Sequence, residues 1–161
     1  MHDYLYGVEV GLDSNARKNR SGSFMENIIS QSLNEIGQSL KNVEIFPKGK
    51  FGHLATKHGL QIPPSLKNRT PDFAIRKGNQ LLSIEVNFYS GQGSKPQEIV
   101  DAYINRQREL KRNGWNFVWI TDGNGWRKGQ NQISKAIQQM DYVLNISLVK
   151  KGFLKHIIKN L

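Results

Sequence analysis

Pro71-Asp72-Phe73-Ala74-Ile75-Arg76-Lys77-Gly78-Asn79-Gln80-Leu81-Leu82-Ser83-Ile84-Glu85-Val86-Asn87 reads as a β-hairpin. Gly78-Asn79 is a two-residue turn signal between two strand-like runs. A turn at that dipeptide sets Lys77 opposite Gln80, Ile75 opposite Leu82 and Asp72 opposite Glu85. Successive side chains of a strand alternate between faces, so Phe73, Ile75, Leu82, Ile84 and Val86 point into a core, and Asp72, Glu85 and Asn87 share the other face. Two carboxylates directly opposite each other repel and destabilise a sheet. A bound divalent cation removes that cost, and oxygen donors of this kind suit Mg2+. The plainer alternative is a pair of solvated acids on a surface hairpin.

Around the hairpin, an α/β pattern is legible. Residues 13–22 form a polar, basic loop. Ser23 and Glu26 have capping-box spacing, and Met25, Ile29, Leu33, Ile36 and Leu40 then recur at helical intervals. Val43–Phe46 reads as a short strand. Residues 47–71 read as a long loop bracketed by Pro47 and Pro71, rich in Lys and Arg and without an acid; loops of that length are uncommon unless functional or disordered. After the hairpin, Ser94 and Gln97 repeat the capping-box spacing around Pro96, and a helix is expected from 96 to 112, ended by Asn113-Gly114. Phe117-Val118-Trp119-Ile120 reads as a buried central strand. Asp122-Gly123-Asn124-Gly125 is a turn. A helix is expected over 129–140, a strand over 142–148 and a terminal helix over 153–161. The order implies a mixed central sheet flanked by helices.

Length and charge narrow the function. A chain of 161 residues is one domain with material for a core. Lys plus Arg number 23 against 13 Asp plus Glu, a net charge of +10, which favours a polyanionic partner, nucleic acid first. An anionic membrane surface is less favoured, because no basic amphipathic helix with a broad apolar face is present. The absence of cysteine excludes disulfides, thiolate zinc sites and cysteine nucleophiles. No apolar run approaches the ~20 residues that span a bilayer, and Met1-His2-Asp3-Tyr4 lacks signal-peptide character. The expectation is an intracellular protein that needs neither membrane nor nucleotide cofactor, since no phosphate loop of the Gly-x-x-x-x-Gly-Lys-Ser/Thr type occurs.

These features suit phosphodiester hydrolysis. That reaction needs an activated water, neutralisation of the charge on the phosphorane and stabilisation of the leaving oxygen, and divalent cations held by carboxylates on rigid strands supply most of this. Asp72 and Glu85 are the candidate ligands, with the Val86 carbonyl as a further one. Glu26 is a candidate third carboxylate; its structural alternative is capping the helix. Lys95, after the glycine-rich turn, could hold a phosphate or orient water, and is otherwise a solvated cation. Segments 17–20 and 48–69 could neutralise DNA phosphates. Asp122 reads as a turn residue that could support the site. His53 and His58, in a loop without a nearby carboxylate, make no convincing metal site.

Pro71-Asp72, followed by Glu85-Val86-Asn87, resembles the motif of the PD-(D/E)xK nuclease superfamily. More specific are three longer blocks: Gly11-Leu12-Asp13-Ser14-Asn15-Ala16-Arg17-Lys18-Asn19-Arg20-Ser21-Gly22 with Met25-Glu26, Ile84 through Lys95, and Trp119-Ile120-Thr121-Asp122-Gly123-Asn124-Gly125-Trp126. In that order they resemble the Type II restriction endonucleases of the DpnII/MboI group. The resemblance implies a restriction-endonuclease-like fold and Mg2+-dependent cleavage of double-stranded DNA at GATC. It also implies a homodimer, because a palindromic site calls for two-fold symmetry. It matches Asp72 and Glu85 to the metal-binding acids and Glu26 to the N-terminal helix glutamate. Candidate DNA contacts are Asn15, Arg17, Lys18, Asn19, Arg20, Lys48, Lys50 and Lys57, with Ser90 and Ser94 in the glycine-rich turn. Two departures stand out. The superfamily pattern has lysine where this chain has Asn87, which moves the positive charge to Lys95 or to a metal. The chain also resembles a C-terminal catalytic domain, one that lacks a helical segment its relatives carry ahead of Tyr6-Gly7-Val8. The alternatives are a repair or junction nuclease on the same fold, and a DNA-binding module without catalysis.

Overall fold

The structure, a computed structural model, describes residues 22–47, 50–92 and 95–161. Its elements in chain order are α1 (Gly22–Ser39), β1 (Val43–Pro47), α2 (Phe51–Lys57), α3 (Pro64–Lys67), β2 (Phe73–Lys77), β3 (Gln80–Phe88), α4 (Pro96–Arg112), β4 (Trp115–Asp122), a 3-10 turn (Asn124–Arg127), α5 (Gln130–Gln139), β5 (Val143–Leu144), α6 (Ile146–Lys150) and α7 (Phe153–Lys159). The five strands form one sheet in chain order. β1 pairs antiparallel with β2 and β2 with β3, whereas β4 is parallel to β3 and β5 to β4. This is a mixed α/β sheet of the restriction-endonuclease-like kind that the sequence leads one to expect.

The hairpin register is the expected one: Lys77 pairs with Gln80, Ile75 with Leu82 and Phe73 with Ile84. Gly78 takes the positive φ, 59°, that the first position of a tight hairpin turn requires. Continuing the same register, Asp72 falls beside Glu85 just beyond the ladder.

The two faces of β3 are both covered. Ile45, Ile75 and Leu82 are direct cross-strand partners and therefore share a face. α1 lies over that face, close enough that a Cβ at Gly37 would meet Ile45 Cδ1 at 3.0 Å. Its Met25, Ile29, Leu33 and Ile36 form one buried stripe, the spacing that makes the helix amphipathic. α4 lies over the opposite face. There Tyr103 stacks on Trp119 with centroids 4.6 Å apart, Trp119 meets Trp126 edge-on at 5.7 Å, and Trp126 meets Tyr89 at 4.7 Å. Gln107 of α4 is buried and accepts the Asp141 N–H at 2.9 Å, tying α4 to the end of α5.

Three expectations are corrected. Residues 47–71 are not one long loop: α2 and α3 interrupt it, and Phe51, Leu54, Ala55 and Leu66 enter the core. Residues 142–148 do not form one strand. The Asn145 side chain accepts the Leu148 N–H at 2.8 Å and the Asp122 carboxylate accepts that of Ile146 at 3.3 Å, so two caps convert the chain to helix after two strand residues. At the start of α4 the cap position is held by Lys95, without a side-chain cap bond, and Pro96 follows at the first helical position; Ser94 lies outside the described residues.

The ends of β3 and β4 are locked together by backbone. Tyr89 N donates to Asp122 O at 2.8 Å and Gly125 N to Tyr89 O at 3.0 Å. A Cβ on Gly125 would lie 2.4 Å from Gly91 N and 2.4 Å from the Tyr89 ring. Gly125→Ala is therefore expected to lower stability by about 1–3 kcal/mol through overpacking, measured as a drop in the urea midpoint at unchanged slope. A midpoint equal to the parent's would mean that this junction is loose.

Candidate active site

The hairpin carries Asp72 and Glu85 to the C-terminal half of β3, where its pairing with β4 is parallel, toward the end at which open α/β sheets present ligand-binding groups. Asp72 is half-buried. Its Oδ2 accepts the Val86 N–H at 2.7 Å, which holds the carboxylate across the strand next to Glu85. Glu85 is 6% exposed. Its register partner on β4 is Trp119, and α4 closes over both.

From α4, Arg106 Nη1 reaches Glu85 Oε1 at 2.9 Å. The contact is an ion pair without hydrogen-bond alignment: Oε1 is buried, and among the described residues no group donates a hydrogen bond to it. Arg106 is itself 9% exposed and lies over the Tyr103 ring, 5.2 Å from its centroid. Burial pushes the Glu85 carboxyl up from the usual 4.5 to about 7; Arg106 pulls it down, while the charge and hydrogen bonding of Asp72 raise it further. The Tyr103 hydroxyl is pushed up to about 12, first by burial and next by the Glu85 charge.

Beside these groups lies a cleft of about 380 Å³ lined by Arg69, Asn87, Glu98, Ile99, Ala102, Tyr103 and Arg106. Arg69 is delivered by the short helices of the basic segment: its N–H bonds to Leu66 O at 2.9 Å and its carbonyl accepts the Phe51 N–H at 3.0 Å. Asn87 Oδ1 accepts the Trp119 Nε1–H at 2.7 Å. An indole can only donate, so the amide oxygen must face it and the Asn87 NH2 is turned away as a donor. The cleft thus has two guanidinium groups and an oriented amide donor near Asp72 and Glu85, with a further carboxylate, Glu98, on its own wall, a set suited to a phosphate and a divalent cation.

The similarity of this chain to known proteins matches the geometry. The family model described as DpnII restriction endonuclease matches residues 1–156. The chain belongs to this family. It is 39% identical over 160 residues to the Type II restriction enzyme MjaIII of Methanocaldococcus jannaschii, covering 97% of this chain and 55% of the relative. It is 34% identical to the Type II restriction enzyme DpnII of Streptococcus pneumoniae (96% and 55%) and 31% identical to MboI of Moraxella bovis (96% and 52%). The chain spans about half the length of the curated relatives it matches.

Of the residues singled out from sequence, the structure gathers Asp72, Glu85, Val86 and Asn87. Glu26 is half-buried near the start of α1, the helix over the other face of the sheet. Among the described residues no group of three carboxylate or imidazole side chains is placed to hold a metal, and Glu26 is not gathered with the pair here. Lys95 is exposed at the cap of α4, one turn ahead of Glu98 and Ile99, and is not part of the cleft wall. Lys50 is exposed at the cap of α2, the Lys57 ammonium sits 5.2 Å from the Phe46 ring centroid, and Ser90 accepts the Gln92 N–H at 3.4 Å; none of the three lines the cleft. Asn15, Arg17, Lys18, Asn19, Arg20, Lys48 and Ser94 lie outside the described residues. Asp122 is buried, its carboxylate accepting the N–H groups of Gly123 and Ile146, a structural role. Arg106, Tyr103 and Glu98 were missed. Their only signal was membership of a helix, and helical spacing does not say what a helix covers.

The raised Glu85 carboxyl has a stability consequence. Between its ordinary 4.5 and about 7, the folded chain keeps a proton that the unfolded chain has released. That contribution is full below pH 4.5 and is lost as pH rises through 7. In EDTA, the thermal midpoint of the parent should fall between pH 5 and pH 8 more steeply than that of Glu85→Gln. Parallel curves would mean that Glu85 is ionised throughout.

Proposed function

We propose that this chain is the catalytic part of a Type II restriction endonuclease, hydrolysing phosphodiester bonds of double-stranded DNA at GATC with Mg2+. The observation that carries the reading is the apposed pair Asp72 and Glu85 beside a guanidinium-lined cleft, in a chain of the DpnII restriction endonuclease family.

The residues present fit Mg2+. Asp72 and Glu85 are hard oxygen donors, and the buried Glu85 Oε1 has no hydrogen bond in the described chain. Asp72, Glu85 and the Val86 carbonyl would hold the ion. Glu26, in the first turns of α1, is proposed as a further ligand. When bound, the ion supplies Lewis-acid stabilisation of the phosphorane and a more acidic water. The chain's own residues do the rest. Arg69 bears on a non-bridging phosphate oxygen. The Asn87 NH2, held by Trp119, donates to phosphate or to the attacking water. The stacked aromatic row under the cleft excludes bulk water and strengthens these charges.

The GATC target rests on the three sequence blocks shared with the DpnII/MboI group. A palindrome implies a two-fold homodimer. The net charge of +10 supplies steering toward the duplex. Asn15, Arg17, Lys18, Asn19, Arg20, Lys48, Lys50, Lys57, Ser90 and Ser94 remain proposed DNA contacts, and Lys95 a proposed phosphate contact at the head of α4. No described helix is long and apolar enough to cross a membrane, and an intracellular setting is proposed with the activity.

A labelled duplex with one GATC should be cut by the chain in Mg2+ and not in EDTA, and a scrambled duplex should survive. Asp72→Asn, which keeps an acceptor for the Val86 N–H, should slow cutting by about 10³-fold, the scale of several kcal/mol of metal-borne stabilisation. It should also abolish the rise in thermal midpoint that Mg2+ gives the parent. Binding of the duplex without cutting, and without a Mg2+ shift, would leave a DNA-binding module.

A further inference from the structure

We propose that Arg106, beside Arg69, supplies from helix α4 the positive charge next to the acids that the PD-(D/E)xK pattern takes from a lysine two residues after the glutamate. The inference rests on the nuclease reading and adds a residue and a role to it.

Position 87 cannot carry that charge. Asn87 is neutral, and its side chain is pinned by the Trp119 indole at 2.7 Å. Lys95 is exposed and outside the cleft wall. Arg106, in contrast, lines the cleft, is 9% exposed and stands 2.9 Å from Glu85 Oε1. A buried ion pair is weak evidence for stability, since an apolar pair of similar volume is commonly as stable or more so. The guanidinium is also not committed to Glu85 by a hydrogen bond. Its planar fork of N–H donors is the geometry that takes a phosphate in two-pronged fashion.

The substitution has a chemical consequence. Guanidinium does not lose its proton in proteins, so Arg106 can neutralise charge on the phosphorane and hold a non-bridging oxygen but cannot accept a proton from water. Asn87 cannot accept one either. Two functions that a single lysine can combine are here divided: charge from α4, and hydrogen-bond orientation from β3.

The test compares Arg106→Gln, Arg106→Lys and the double variant Arg106→Gln/Asn87→Lys with the parent. Duplex binding is measured in EDTA over a salt series, and single-turnover cleavage in Mg2+. Arg106→Gln is expected to weaken metal-free binding and to make the log–log salt slope shallower by about 0.9, one phosphate contact. Cleavage should drop by about 10²-fold, the scale of one lost charge-stabilising donor. Arg106→Lys should retain the slope and part of the rate. The double variant should regain at least about tenfold in rate, because the charge returns to the position the superfamily uses. An unchanged salt slope with no recovery in the double variant would overturn the proposal and leave Arg106 as the counter-ion of Glu85. Should Arg106→Gln fail to fold, Arg106→Lys and the double variant decide. If the parent binds duplex but cuts nothing, the endonuclease reading fails and the salt slope alone decides for or against Arg106. A parent that does not bind duplex overturns both.

Discussion

A carboxylate sits on a strand that is covered on both sides, and the architecture follows from how that is tolerated. Glu85 is buried in the C-terminal half of β3, with Asp72 adding to its unfavourable charge and Arg106 opposing it. Removing a single member of such a group strands a buried charge, which is costly, whereas the intact set is near balance. The site is therefore a place where local rules of stability are broken in a mutually dependent way, as functional sites commonly are. Neither the hairpin nor α4 alone makes it: the hairpin supplies the acids and α4 the cation.

The rest of the scaffold keeps these groups in register. The aromatic row from Tyr103 through Trp119 and Trp126 to Tyr89 joins α4, β4 and the chain beyond β3 into one block. Trp119 serves twice, as the surface on which Tyr103 stacks and as the donor that turns the Asn87 amide. The close approach of Gly123 and Gly125 to Tyr89 is what allows the ends of β3 and β4 to meet. It also gives two of the sequence blocks that resemble the DpnII/MboI group a common physical purpose. The Phe88-Tyr89-Ser90-Gly91 run and the Asp122-Gly123-Asn124-Gly125-Trp126 run are one junction seen twice along the chain.

In the proposed reading, that junction and the ion pair let a member of the DpnII restriction endonuclease family carry Asn87 where the wider nuclease pattern has lysine. A lysine at position 87 would offer no acceptor to the Trp119 indole N–H that Asn87 satisfies. With the amide in place, positive charge has to arrive from another element. The buried stripe of α4, where Arg106 follows Val100 and Ile104 among buried residues, is the surface that faces the acids.

The hairpin was readable from residues 71–87 alone, down to the pairing of Phe73 with Ile84, because a two-residue turn and a period of two leave one register. The span of α4 was readable for similar reasons: Pro96 and Asn113-Gly114 mark its ends locally. The acids on one face and the neutral residue at position 87 followed from the same short-range logic. Residues 47–71 and 142–148 were misread because their outcome depends on distant partners. Leu54 and Leu66 have a core to enter only once the sheet exists, and the helix at Ile146 is capped in part by Asp122, 24 residues earlier. Tyr103 and Arg106 carry no local mark of function, whereas Arg69 belongs to the acid-free basic segment 48–69 whose composition already pointed to phosphates. Tyr103 and Arg106 reach Glu85 and its strand neighbour Trp119 only through helix-on-sheet packing, an interaction between elements that local sequence patterns do not pair. The chain by itself determined which acids would face each other; the tertiary fold decided which cations would meet them.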